Sequence, residues 1–252
     1  MSRVIIKDVL TDCWTLMPKA GLENLGPVEK YLLGLLFAPD SSGKYAAPIK
    51  GNTWLQKEMQ VLSTLRPNLE EDAEYDAHAM GAFSETVEVV ADQFRVSGFT
   101  EKVGSSAKLT LEGKQIAEAI WNDFTNREKQ LVTNVKTWLN DLSYYELLGL
   151  VYTEFPETAK VSQVVPAVDA RRIDVGISLF HKGKVPLSLA HRIARVSESE
   201  FLNLLARRGV SSPEAETAQI KTDAQLLQEI ERSRADSEKR RLVSWELIEK
   251  SQ

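Results

Sequence analysis

Along most of the chain, apolar residues recur at the spacing of a helix that buries one face. After Pro27, Val28, Leu32, Leu35 and Leu36 share such a face, and Pro39 with the Asp40-Ser41-Ser42-Gly43 turn closes the helix. A second helix is predicted over 53–64, burying Trp54, Leu55, Met59 and Leu62; Pro67 ends it, and the acidic Glu70-Glu71-Asp72 run reads as a solvated loop or helix start. Upstream, an amphipathic stretch from Val4 to Trp14 is followed by Pro18, Gly21 and Gly26. Residues 1–26 therefore read as a leader helix and linker.

The stretch 84–110 carries more information. Ser84 is an N-cap, Val87, Val90, Ala91 and Phe94 line one helical face, and Gly98 supplies the C-terminal stop. Phe99 to Lys102 and Ala107 to Thr110 then make two short strands around Gly104-Ser105-Ser106. A helix followed at once by a hairpin and another helix is the order of a winged helix-turn-helix domain, expected over 27–160. Its last helix is predicted to be long. Ile116, Ile120, Trp121 and Phe124 form one face, continued by Leu131, Val135, Trp138 and Leu142 as a candidate dimer seam.

Ser143 to Tyr152 predicts a further helix, and Pro166 punctuates the following stretch, so a domain boundary is expected between 160 and 161. Residues 161–212 hold three short helices: Arg171 to His181, Pro186 to Ala194, and Ser197 to Arg208. Ser197 and Glu200 have capping-box spacing, and two short helices joined at Arg195-Val196 have the layout of a helix-turn-helix. From 213 the chain is polar, with one helical stretch around Leu226, Leu227 and Ile230. The cluster Leu242, Val243, Trp245, Leu247 and Ile248 comes after a charged run and has no core of its own. Residues 213–252 are thus expected to be a partly disordered helical tail that binds a partner protein through those five side chains. The fold class expected is mainly α: a winged helix-turn-helix domain with a small β-hairpin wing, a small helical helix-turn-helix domain, and the tail.

The 252 residues are 43% hydrophobic and 27% charged, a globular composition with material for more than one core. The longest apolar run, Tyr31 to Ala38, is far short of the roughly 20 residues needed to cross a bilayer. With no secretory-signal layout at the N-terminus, a cytoplasmic protein without membrane association is expected. The net charge of −5 conceals a split: residues 1–160 sum to −7, 161–212 to +4 and 213–252 to −2. The one basic window coincides with the second helix-turn-helix pattern, so a polyanion would bind there.

The helix after Ser84 exposes Glu85, Glu88 and Asp92 on one stripe, which repels phosphate, so the winged helix reads as a protein-interaction or scaffold module. Lys102 and Lys108 on its hairpin keep a DNA-backbone contact open. The second module fits DNA better. Lys182, Lys184, Arg192, Arg195, Arg207 and Arg208 surround it, Arg171 and Arg172 precede it, and Ser197 and Ser199 sit at a helix N-terminus whose N–H groups favour phosphate. Arg192 and Arg195 are the principal candidate contacts; Glu198 and Glu200 oppose them, and a solvated basic face is the alternative.

No enzyme is expected, and no cofactor. Lys50-Gly51-Asn52-Thr53 lacks P-loop spacing, and there is no G-x-G-x-x-G. Cys13 with His78 reads as incidental, and Glu70 to Asp76 lacks the glycine and alternating ligands of a calcium loop. One cysteine and three histidines give no zinc or iron spacing.

Two segments resemble known families, and the tail, Leu226 to Glu249, resembles the C-terminal toxin-wrapping segments of antitoxins. Pro48-Ile49-Lys50-Gly51-Asn52-Thr53-Trp54-Leu55-Gln56-Lys57, with Gly81-Ala82-Phe83-Ser84 and Gly98-Phe99-Thr100-Glu101, is similar to an uncharacterised group of prokaryotic winged-helix proteins, over roughly residues 27–160. Asn52 stands where that group has Arg, and Ala82 where it has Pro. Residues 171–212, above all Gly183-Lys184-Val185-Pro186-Leu187, Ile193-Ala194 and Glu200-Phe201-Leu202 to Arg208-Gly209-Val210, resemble a small antitoxin-like helix-turn-helix family whose genes often sit beside PIN-domain ribonuclease toxins. Here His191 replaces an Ala and Arg195 the turn Gly. The resemblance implies a DNA-binding transcriptional regulator of antitoxin type, acting as a homodimer on its own promoter, with a PIN-type toxin or other neighbouring-gene product held by the tail. The alternative is a protein–protein adaptor that does not bind DNA.

Overall fold

Proline or a hydroxyl side chain opens most of the helices. The computed structural model describes residues 25–210 and 226–236, of which 65% are helical. The described residues form two compact units: 25–63 with 68–76 and 82–141, and 64–67 with 77–81, 142–210 and 226–236. Val4 to Trp14, Cys13 and the cluster Leu242 to Ile248 lie outside the described residues.

In the first unit, α1 (Pro27–Phe37), α2 (Asn52–Thr64) and α3 (Pro67–Ala73) come first in the chain. The strands β1 (Asp76–His78) and β2 (Gly81–Phe83) follow where the chain passes between units, then α4 (Glu85–Val96), β3 (Thr100–Val103), β4 (Ser106–Leu109), α5 (Leu111–Asp123) and α6 (Asn126–Leu139). Ser84 caps α4 by accepting from the Val87 N–H at 3.0 Å. β3 and β4 pair antiparallel from Thr100↔Leu109 to Val103↔Ser106, around Gly104 at φ +63°. Ile49 adds a single bridge to Ala107, exchanging two 2.9 Å bonds. α1 packs on α4, α5 and α6 over a core of Val28, Leu32, Met59, Phe94 and Trp138. Gly113 is the contact point of α5 with the hairpin: a Cβ there would stand 1.9 Å from the Phe99 carbonyl oxygen.

Two expectations change in this unit, and one open alternative is settled. The long helix after Leu111 is two helices, because Thr125 and Glu128 form a capping box that starts a new one. Leu131, Val135 and Trp138 are buried inside the single chain, with α6 against α1, so they offer no open dimer seam. Glu70 to Asp72 are helical, and the Asp72 carboxylate accepts the Val28 N–H at 3.2 Å, satisfying a first-turn donor of α1. At the other end of α1, the buried Lys136 Nζ donates to the carbonyls of Leu36 and Ala38 at 3.1 and 2.8 Å.

The second unit contains α7 (Tyr144–Glu154), α8 (Pro156–Ala159), α9 (Val165–Asp169), α10 (Arg172–His181), α11 (Leu187–Ala194), α12 (Glu198–Arg207) and a helical stretch at 226–236. The break between units falls at Asp141/Leu142 and not between 160 and 161, because α7 packs on α10 and α11. Gly176 on α10 lets α11 approach closely: a Cβ would lie 2.7 Å from the Ala190 carbonyl oxygen. Leu226, Leu227 and Ile230 are buried, so this part of the expected tail is packed. Among the described residues no helix is long and apolar enough to cross a membrane.

Candidate nucleic-acid interface

The turn between α11 and α12 is built by Arg195, which adopts the left-handed conformation at φ 55°, ψ 41°. That conformation favours Gly, and in Arg it costs about 1 kcal/mol. The Val196 N–H then reaches back to the His191 carbonyl at 3.2 Å. Ser197 starts α12, its hydroxyl accepting from the Glu200 N–H at 3.2 Å, which is the backbone half of the expected capping box. Ile193, Ala194, Phe201 and Leu205 bury the inner sides of the two helices.

The basic side chains grouped by the sequence do not form one free patch. Arg172 is buried: its Nε pairs with Asp169, and its Nη1 donates to Thr153 Oγ1 and to the Ile193 carbonyl at 3.2 and 3.3 Å. It ties α7, α9 and α11 together from a buried position and is not free for a surface contact, a correction to the expected contact set. Arg192 reaches Glu154 at 3.3 Å and Glu231 at 3.5 Å, and Arg195 reaches Asp169 at 3.0 Å. Burial pushes the Glu154 carboxyl up, with Arg192 and Arg234 working against it.

Lys182 sits elsewhere, 2.6 Å from Glu146 in the first turn of α7. Glu146 and Glu154 are eight positions apart, which at 1.5 Å per residue separates these two ion pairs by roughly 12 Å along the helix. Burial pushes the Glu146 carboxyl up, but Lys182, the Ser178 hydroxyl and the Ser143 N–H outweigh it and bring it to about 2. Arg171 lies over the Tyr145 ring, 4.3 Å from its centroid, and Lys184 is half-buried. Arg208 pairs with Asp174 at 2.6 Å. Ser199 is exposed, 3.2 Å from the Ser197 hydroxyl.

The exposed side of α12 begins Glu198, Ser199, Glu200 and continues with Leu202 and Asn203, Leu202 being 47% exposed. Neither Asn203 nor Leu202 is among the contact residues expected from the sequence; their offset from the buried Phe201 and Leu205 is the signal that places them outward. The surface thus offers two exposed arginines at the turn, a serine and an asparagine one helical turn apart, and two carboxylates. The Arg195–Asp169 pair is largely exposed, worth about 0–1 kcal/mol, and exchanges for phosphate at little cost, whereas Arg192 also faces the buried carboxylate of Glu154, which loses a charge partner if Arg192 turns to phosphate.

In the first unit, α4 turns Glu85 and Asp92 to solvent, and Val89 and Val96 lie beside them, 54% and 71% exposed. Asp92 holds Arg95 at 2.8 Å. On the hairpin, Lys108 is paired with Glu101 at 3.1 Å, and Lys102 has no partner among the described residues. Among the described residues no three His, Cys, Asp or Glu side chains are grouped to hold a metal ion.

No family model, curated protein or solved structure matches this sequence. The two family resemblances rest on their quoted motifs alone.

Proposed function

We propose that the chain is a DNA-binding transcriptional regulator of antitoxin type, holding DNA through the helix-turn-helix of α11 and α12 and a partner protein through residues beyond 236. The observation that carries this reading is the left-handed Arg195 between two short helices with a shared apolar core, which presents Arg192 and Arg195 on the outside of a tight turn. In this reading the first unit is a winged helix-turn-helix whose α4, with its carboxylates outward, serves a scaffold role. A second reading is a protein-binding adaptor, favoured by Glu198, Glu200 and the exposed Leu202 at the start of α12. Replacing both Arg192 and Arg195 by Ala separates the two. The regulator loses about tenfold or more in affinity for its upstream DNA, while Lys102→Ala changes it little. The reverse ranking moves the site to the hairpin, and an adaptor shows no DNA affinity to lose.

A further inference from the structure

A cleft of about 110 Å³ opens in the first unit between α1, α2, α4 and the β3–β4 hairpin. Its floor is apolar: Leu32, Leu36, Leu55 and Phe94 are all nearly or fully buried. At roughly 12 Å³ for each water-sized position, it has room for about nine non-hydrogen atoms. A concave site with an apolar floor and a few polar groups at its mouth is the usual form of a small-molecule site.

The charges at the mouth are not all spent. Asp92 is matched by Arg95, and Glu101 by Lys108. Among the described residues Glu88 has no cationic partner: its Oε2 accepts from the neutral amides of Asn52 at 2.7 Å and Gln56 at 3.4 Å, and no described residue engages Oε1. Lys102, exposed on the hairpin, is the lining cation without a partner among the described residues. One unmatched carboxylate and one unmatched ammonium above an apolar floor call for a ligand with the opposite pair of charges and an apolar body.

The geometry points to this cleft as a binding site for a small zwitterion with an aliphatic side chain, an α-amino acid of the size of leucine. Its ammonium meets Glu88, its carboxylate meets Lys102, and its side chain lies against Ala91 and Ala107 and the edges of Leu36 and Phe94. A simple amine leaves Lys102 unmatched, and a fatty carboxylate leaves Glu88 unmatched. The site is independent of the DNA-binding reading, since none of its lining residues belongs to α11 or α12.

Calorimetric titration of the full chain with L-leucine tests it, with 3-methylbutylamine and 4-methylpentanoate as probes that each lack one charge. L-Leucine binds, and each analogue binds at least about tenfold more weakly, as expected when a charge-assisted bond is lost. Lys102→Ala, an exposed change that leaves the fold intact, weakens L-leucine by a similar factor, and Ala91→Leu, which fills the cleft, removes binding. The absence of any heat with L-leucine at millimolar concentration overturns the assignment. So does equal affinity for 4-methylpentanoate, or undiminished binding by the Lys102→Ala protein.

Discussion

Arg195 combines a backbone cost with an exposed charge, and substitution separates the two. Arg195→Gly relieves the left-handed strain and Arg195→Ala keeps it, while both remove the same cation. The Gly variant is therefore expected to be about 1 kcal/mol more stable than the Ala variant in urea unfolding, with both losing DNA affinity to the same extent. Glu146 gives a pH test. Its folded carboxyl is held at about 2 against an ordinary value of 4.5, so its contribution is complete above about 4.5 and disappears as the pH falls towards 2. Glu146→Gln should flatten this acid limb in unfolding curves followed across that range. At this scale the caps Ser84 and Ser197 were legible, because capping is decided within three residues. The burial of Arg172 was not, since it depends on Thr153 and Ile193, 19 and 21 residues away.

Among the elements, the hairpin was legible to within a residue, its turn being marked by Gly104. The break between α5 and α6 could have been read from Thr125 and Glu128, whose spacing is that of a capping box, but continuity of the apolar stripe across Phe124 hid it. α2 was legible as a helix but not in its burial. Gln56, Lys57, Glu58 and Gln60 are all nearly inaccessible, so it is surrounded, and its polar positions do not mark a solvent face. Burial brings the Lys57 amine down to about 7 and pushes the Glu58 carboxyl well up. The packing of α10 against α11 depends on Gly176. Gly176→Ala places a methyl against the Ala190 carbonyl and is expected to destabilise the second unit by about 1–3 kcal/mol in urea unfolding. A variant as stable as the parent would mean that α11 can move away freely.

For the whole molecule, sequence periodicity placed the helices but not the division of the chain. α7 belongs with α10 and α11, and the first unit closes at Asp141. Net charge located the basic window, yet the folded chain pairs Lys182 and Arg192 with carboxylates contributed by other segments, Glu146, Glu154 and Glu231, and Arg195 with Asp169 inside the window. A charge count cannot see such pairing. It also sets the central question, whether these arginines exchange their partners for phosphate. Fluorescence anisotropy titration of the full chain on its own upstream DNA and on scrambled DNA, over a series of salt concentrations, answers it. DNA binding predicts tighter binding to the upstream fragment and a log–log salt slope of about −5 if some six phosphates are neutralised. No binding at low salt, or binding indifferent to salt, would contradict the account and leave a protein-binding adaptor.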